Sequence, residues 1–160
     1  MIPKVFLRSV EMFNGLDDTE LGEIQHCCEE VAFDGETQIF KDHDPADFLY
    51  TVADGGVSLV FDLPGTQSSK KNKIAGLESG STFGWSGILP GASYTLTAYC
   101  TGDSCKVLKI KASELTDLCE RNHTIGYKVM KNLTQLIGKR FVTFQNEIAR
   151  QMGQNHIDGW

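Results

Sequence analysis

The feature that most constrains the fold is an apolar stripe in the last third of the chain. Seven apolar residues follow one another at intervals of three or four: Met130, Leu133, Ile137, Phe141, Phe144, Ile148 and Met152. This spacing predicts an α-helix that begins near Ile125 and is on the order of 40 Å long. A small domain cannot cover an apolar face of that length. We therefore expect the remainder to pack against the same helix of a second copy, in a homodimer formed through residues 125–152.

The middle of the chain changes from helical spacing to strand spacing. Short stretches of alternating apolar and polar residues predict six strands, at 38–40, 48–52, 57–61, 73–75, 94–99 and 106–110. Turns are predicted between them, among others at Asp54-Gly55-Gly56 and at 101–104, and the polar segment 64–72 is predicted to be an exposed hairpin tip. Many short strands separated by turn signals indicate an antiparallel sandwich or barrel.

Helices are expected on both sides of this β-region. Near the N-terminus, apolar residues recur at helical spacing behind an acidic first turn, at Leu21, Ile24, Cys28 and Val31. N-terminal helices are therefore predicted for about 1–31. Ser113 is the predicted N-cap of a short helix that precedes the long one. The predicted organisation is one mainly β domain over 1–160, with the β-region at 32–112 and the C-terminal helices at 113–152.

A glycine-rich run after the fourth predicted strand is the most informative local motif. Gly84 and Gly87 flank the start of a short helix near Ser86. The unpaired N–H groups at such a helix start suit an anion or a polar head group. The alternative is a tight connection in which the glycines only satisfy backbone geometry. Ser86, Ser93 and Thr95 are either hydroxyl donors for a ligand or ordinary surface hydroxyls.

Several short motifs occur in a fixed order along about residues 5–150. They are Phe13-x-Gly15-Leu16, Phe33-x-Gly35-Glu36-x-x-Ile39-Phe40, Asp44-Pro45-Ala46-Asp47-x-Leu49-Tyr50-x-Val52, Gly55-x-Val57, Gly80-x-x-Phe83-Gly84 and Thr95-x-Thr97-Ala98. In this order they resemble the cyclic nucleotide-binding domain of the catabolite-activator (Crp-Fnr) superfamily of sensors. The resemblance implies an eight-stranded double-stranded β-helix, or jelly-roll, with flanking helices and a long C-terminal dimerisation helix. It also implies a ligand site in a cassette made of a short helix and the following strand.

The resemblance places the ligand-binding residues in that cassette, at Phe83, Gly84, Trp85, Ser86, Gly87, Ser93, Tyr94 and Thr95. Family members that bind cyclic nucleotides hold the ribose with a Glu after the cassette glycine, and the phosphate with an Arg further along. Here Trp85 stands at the Glu position, and no Lys or Arg occurs between Lys73 and Lys106. Neutral donors forgo charge-assisted hydrogen bonds. We therefore expect cyclic AMP and cyclic GMP to bind weakly or not at all, which leaves the small-molecule ligand unidentified.

Two residues decide how such a pocket would work. Trp85 is either an apolar plug in a vestigial pocket or a ring that stacks on a planar ligand or on the partner subunit. Arg140 lies beside the apolar stripe and is the candidate for reaching the pocket from the long helix. The predicted function is a ligand-sensing module in signal transduction, as the resemblance implies.

The cysteines suggest an alternative to ligand sensing. The chain has five of them, Cys27, Cys28, Cys100, Cys105 and Cys119. An odd number in a chain large enough to fold without disulfides indicates a reduced, cytoplasmic protein. Cys27 and Cys28 are expected on a helix, and Cys100 and Cys105 bracket a predicted hairpin turn, within disulfide reach. A cysteine-based redox sensor is therefore one alternative function, and a structural dimerisation module without a ligand is the other.

Charge and motif spacing argue against other classes of function. The 21 acidic and 15 basic residues give a net charge of −6, which disfavours nucleic-acid and membrane-surface binding. No segment predicts a membrane span or a signal peptide, and no residue spacing predicts a metal site or an enzyme active site. Transcription factors of the resembled superfamily carry a winged helix-turn-helix after the long helix, for which the eight residues after Met152 are too few. We therefore expect no DNA binding, and regulation through contact with another protein.

Overall fold

The computed structural model describes residues 1–62 and 73–157. The helices are α1 (Lys4–Ser9), α2 (Asp18–His26), α3 (Ala112–Arg121) and α4 (His123–Ile157), and two short 3-10 helices cover Glu11–Phe13 and Trp85–Ile88. The strands are β1 (Cys28–Asp34), β2 (Gln38–Phe40), β3 (Phe48–Val60), β4 (Lys73–Leu77), β5 (Thr82–Phe83) and β6 (Thr97–Lys111). The hairpin tip predicted at 64–72 lies outside the described residues.

The strands form an antiparallel sheet built around the two longest members. The described strands are ordered β1-β6-β3-β4, with β2 paired to β6 and β5 paired to β3. One apolar cluster fills the interior of the β-region and includes Phe40, Val52, Leu59 and Val107. The predicted mainly β architecture with flanking helices and a long C-terminal helix is confirmed.

Two predicted turns are wrong, because β3 and β6 each run through a position where a turn was expected. The partner of Asp54 is Lys106 but the partner of Gly56 is Thr101, so four residues of β6 bulge out of the β3 ladder. Part of this bulge pairs instead with β1, where Asp34 lies opposite Ser104. Gly55 has a φ of +73°, and a Cβ on it would lie 2.6 Å from the Ser104 carbonyl oxygen. The glycines therefore permit a bulge within a continuous strand.

The end of the N-terminal helical region is also corrected. Helix α2 begins with a capping box, in which the Asp17 side chain accepts from the Glu20 N–H and the Glu20 side chain accepts from the Asp17 N–H. It ends at His26, and the chain continues as β1 from Cys28 rather than as helix to Val31. Every residue of β1 has a partner on β6. This pairing outweighs the short run of helical spacing, so the β-region begins at Cys28 and not at residue 32.

Ser113 is not an N-cap. Strand β6 leads directly into α3, whose N-cap is Lys111 without a capping side chain. The Ala112 N–H donates to the Asp47 carbonyl oxygen at 2.9 Å, so a backbone group takes the place that the sequence suggested for a hydroxyl.

Helix α4 is anchored to the rest of the chain by its first half. Ile125, Val129 and Leu133 are buried in a second apolar cluster, which also contains residues of α1, α2, α3 and the ends of β3 and β6. Lys128 forms an ion pair with Glu20 at 2.7 Å, and the Asn132 amide donates to the carbonyl oxygens of Met12 and Asn14. The prediction of a long helix from about Ile125 is confirmed.

Candidate functional site

The predicted cassette is a tight connection between β5 and β6. Gly84 follows β5 with a φ of +70°, and a Cβ on it would lie 3.1 Å from the Tyr50 ring. The 3-10 helix Trp85–Ile88 comes next, and a Cβ on Gly87 would lie 3.0 Å from the Ala46 carbonyl oxygen. Both glycines therefore satisfy packing and backbone geometry, as the structural alternative predicted. A single 3-10 turn also lacks the aligned peptide dipoles of a longer helix, so the charge of the site has to come from elsewhere.

A cleft opens beside this turn. It holds about 70 Å³ and combines six of the nine predicted site residues with an apolar wall. The six are Gly84, Trp85, Ser86, Tyr94, Thr95 and Arg140, and the wall is made by Phe40, Leu59, Ile74, Ala75 and Leu96. The pockets that enclose drug-sized ligands are usually about 300–1,000 Å³. The cleft in this conformation is therefore too small to enclose a nucleotide.

The other three predicted residues do not line the cleft. Phe83 is fully buried and stacks on Tyr50, with ring centroids 5.3 Å apart. Gly87 packs against Ala46, and Ser93 is exposed and bridged to Pro45. These three residues hold the cassette in place but do not contribute to its open side.

Arg140 reaches the cassette from α4. Its Nη2 donates to the Thr82 carbonyl oxygen at 3.0 Å, and its guanidinium carbon lies 4.1 Å from the centre of the Trp85 ring. Burial lowers the pKa of the guanidinium to about 10, and the Glu11 carboxylate opposes that shift. Within residues 1–62 and 73–157, no carboxylate comes within ion-pair distance of Arg140. The cleft thus contains a charged, half-buried guanidinium that has no ion-pair partner among the described residues and feels the Glu11 carboxylate from beyond ion-pair distance.

Trp85 joins the cassette to the helical layer. Its ring is partly buried against the apolar cluster around α4, and one face carries the Arg140 guanidinium. A guanidinium over an indole face is a favourable cation–π contact. Trp85 therefore connects the ligand cassette to the long helix, and whether it is a plug or a stacking platform stays a prediction.

Tyr94 contributes its ring to the cleft, but its hydroxyl has a structural role. The ring stacks on Phe40 at 3.8 Å, and the hydroxyl donates to the Phe48 carbonyl oxygen at 2.7 Å. Burial raises the pKa of both Tyr94 and Tyr50. Both side chains are therefore neutral at physiological pH, and they supply no charge to a ligand.

The apolar wall was missed by the sequence reasoning. Phe40, Leu59 and Ile74 lie on three strands and Leu96 directly precedes β6, so the four residues meet only in the folded sheet. Their inward positions in alternating strands were the available signal, but alternation does not say which strands face one another. Arg140, which the sequence suggested as the residue that reaches the pocket from the long helix, lines the cleft.

The cysteines are free thiols in apolar surroundings. Cys100 and Cys105 are both buried, and they lie on the single strand β6 rather than across a hairpin turn, but the bulge between them brings the two thiols within hydrogen-bond distance of each other, as expected from their spacing. Cys27 is the C-cap of α2 and Cys28 begins β1, so the expected helical placement of this pair is wrong. Burial raises the pKa of Cys28 and of Cys105 to about 12. Thiols with such a pKa stay protonated at neutral pH, which makes them poor nucleophiles.

In the part of the chain that the structure describes, no group of three His, Cys, Asp or Glu side chains is placed to hold a metal ion. None of the described helices has the length and apolar character needed to span a membrane.

Comparison with known proteins gives a consistent set of matches. The family model for the cyclic nucleotide-binding domain matches residues 30–122. A crystal structure from Geobacter metallireducens, described as that of a cyclic nucleotide-binding protein, is 28% identical with a TM-score of 0.74, and the match covers 88% of this chain and 99% of that one. A comparison with curated protein sequences finds no match.

Two more distant structures share the fold. A cyclic nucleotide-binding domain from Methylobacillus flagellatus is 20% identical with a TM-score of 0.79, and the match covers 92% of this chain and 84% of that one. The catabolite activator protein of Thermus thermophilus is 23% identical with a TM-score of 0.73, and the match covers 89% of this chain and 63% of that one. At these identities the likeness shows the shared fold and nothing finer.

Proposed function

The chain belongs to the cyclic nucleotide-binding domain family, and we propose that it is a ligand-sensing regulatory module whose site is the cleft beside Trp85–Ile88. The observation that carries this proposal is the contact of Arg140 with Trp85, at 4.1 Å from the guanidinium carbon to the ring centre. Arg140 belongs to α4, whereas Trp85 belongs to the cassette. A ligand that displaces or rearranges this contact changes the surroundings of the long helix, which is what a sensor requires.

We propose that α4 is also the output of the sensor, through a homodimer. The second half of the helix exposes large apolar side chains, at Ile137, Phe141, Phe144, Ile148 and Met152. They follow the same spacing as the buried residues of the first half, so they form one continuous face. A second copy of α4 would cover this face symmetrically. The module would then pass its signal to another protein through the geometry of the dimer.

Sedimentation equilibrium tests the dimer with a matched pair of variants. Phe141→Glu places a charge in the proposed interface, once from each protomer, and should weaken association at least 100-fold because like charges would be buried together. Asn146→Glu adds the same charge on the opposite face of α4, where the side chain is exposed, and should leave association unchanged. A wild-type chain that is monomeric at micromolar concentration would contradict the dimer.

We further propose that cyclic AMP and cyclic GMP are not the ligands of this site. The described lining residues offer no carboxylate for a ribose hydroxyl, and by the family resemblance Trp85 stands where nucleotide-binding members carry one. Losing the charge-assisted contact to the ribose removes about 1.5–3 kcal/mol, and among the described lining residues Arg140 is the one cation that could face the phosphate. Calorimetry should therefore give dissociation constants towards the millimolar range. A value below about 10 μM for cyclic AMP would refute this proposal, and Arg140→Ala would then show whether Arg140 supplies the affinity.

The raised thiol pKa values favour ligand sensing over redox sensing. At pH 8, iodoacetamide should alkylate Cys28 and Cys105 of the native protein at least ten times more slowly than in the urea-unfolded chain, because their thiolates are scarce and access is limited. Fast labelling at Cys100 or Cys105 would favour the redox alternative. A dithiol-dependent change in shape that Cys100→Ser abolishes would establish it.

A further inference from the structure

The chemistry of the cleft narrows its ligand to one class. Among the described residues that line it, Arg140 is the only charged one, and five apolar side chains form a wall. Ser86 and Thr95 lie at its edge, and no hydrogen bond of either hydroxyl occurs within the described residues. A ligand that matches this lining has one negative charge, an apolar body and few other polar groups.

The Arg140 guanidinium has unused hydrogen-bond donors for such an anion. One of its five N–H donors is used by the Thr82 carbonyl, and its face is used by Trp85. The remaining donors have no acceptor within the described residues, and no carboxylate pairs with the guanidinium there. Taking a cation partly out of water without a partner is costly, so an anion that completes the pair would bind favourably.

The geometry of a guanidinium favours a carboxylate. Its planar fork donates two parallel hydrogen bonds to the two oxygens of one carboxylate, which adds both energy and direction. A phosphate monoester carries up to two charges, and the lining residues that the structure describes offer a single cation. A cyclic nucleotide also needs partners for a sugar and a base, and the 70 Å³ of the cleft cannot enclose them.

We infer that the cleft binds a small monocarboxylate with an apolar body, with the carboxylate on Arg140 and the body against the wall formed by Phe40, Leu59 and Leu96. This inference rests on the proposed function, because it specifies the ligand of the proposed sensor site. The carboxylate would displace no protein carboxylate of the described part of the chain, since none of its lining residues is acidic. The apolar wall would give preference to aromatic or branched bodies over acetate.

Benzoate and benzamide are a matched pair of probes, because they have the same shape and differ in charge. The chain has two tryptophans, so Trp160→Phe leaves Trp85 as the single fluorescent reporter in the cleft. At constant ionic strength, benzoate should change the Trp85 fluorescence saturably and bind at least ten times more tightly than benzamide. Equal affinities, or no saturation by benzoate below about 10 mM, would overturn the inference.

Three variants in the Trp160→Phe background identify the group responsible. Arg140→Gln should remove the preference for benzoate, and Arg140→Lys should keep part of it because the charge remains without the fork. Arg150→Gln is the control, since Arg150 is exposed on the same helix and pairs with Glu147. Far-ultraviolet circular dichroism checks that each variant is folded. If Arg140→Gln binds benzoate as the parent does, the assignment to Arg140 is wrong.

The ligand class and the proposed function can fail separately. If benzoate binds through Arg140 but leaves the sedimentation of the dimer unchanged, the inference stands and the sensing function fails. If benzoate does not bind while another ligand at Trp85 alters the dimer, the sensing function stands and the ligand class is wrong.

Discussion

The two halves of helix α4 share one apolar spacing and have opposite surroundings. In the first half, Ile125 and Val129 are fully buried and Leu133 is 4% exposed. In the second half, Phe141 is 58% exposed and Ile148 is 42% exposed. The first half packs on the N-terminal helices and on α3. Helical spacing therefore determines that α4 has an apolar face. How much of that face is buried depends on which other parts of the chain pack against it.

Arg140 lies at the junction of the two halves. The helix turns N-terminal to it pack in the second apolar cluster, whereas the turns C-terminal to it contribute no residue to that cluster and touch the β-region through the Phe144 ring, 6.4 Å from the Phe61 ring. Its side chain extends back to Thr82 and Trp85 in the cassette. Arg140 therefore joins the cassette to the helix where the burial of the apolar face decreases, and under the proposed function a change at the cassette would reach the helix at this place.

The largest expected difference between the halves is in the free energy of unfolding. Leu133→Ala removes a buried side chain and leaves a cavity, and it should cost about 2–5 kcal/mol. Urea denaturation, with the protein dilute enough to be monomeric, measures this cost. A loss below 1 kcal/mol would mean that the first half is less firmly packed than its burial indicates.

Removing the ion pair between the first half of α4 and α2 should lower the free energy of unfolding by a smaller amount. The Lys128 ammonium bonds both oxygens of Glu20, which is itself 8% exposed. Lys128→Ala leaves this carboxylate without its cation and should cost about 1–2 kcal/mol, because the lysine itself is partly exposed. Lys131→Ala is the control, since Lys131 is exposed, and should change the unfolding free energy by less than 0.5 kcal/mol.

The hydrogen bonds of Asn132 should contribute about 1 kcal/mol to the free energy of unfolding. Its amide donates to the Met12 and Asn14 carbonyl oxygens, at 3.2 and 2.8 Å. Asn132→Ala loses both bonds, and Asn132→Asp replaces the donor by an acceptor that faces two carbonyl oxygens. The aspartate variant should therefore be the less stable of the two in urea denaturation. The reverse order would show that these bonds do not hold the helix.

Much of the fold was predictable from the sequence, and the errors have a common cause. Alternating residues located the strands, and the ordered motifs identified the family. The predicted turns at Gly55 and Gly102 became a bulge, because each glycine lies where a neighbouring strand offers pairing. Helix α2 stopped before Cys28 for the same reason. Local spacing cannot report such long-range pairing.

The site was predictable in part. The glycine-rich run located Gly84, Trp85 and Ser86, and the position of Arg140 beside the apolar stripe suggested that it reaches the pocket. The apolar wall was not predictable, because Phe40 and Leu59 come from strands that are distant in sequence. That these residues bind a ligand stays a prediction.

The smallest expected effect on the monomer belongs to the second half of α4. Ile148→Ala removes an exposed side chain from a helix and replaces it with the strongest helix former, so the unfolding free energy of the dilute protein should change by less than 0.5 kcal/mol. The same variant should weaken the proposed dimer, because it removes apolar area from the shared face. Urea denaturation at two protein concentrations separates the effects, since only association depends on concentration. A loss that is large and equal at both concentrations would mean that the second half packs on its own domain, and the contrast between the halves would then disappear.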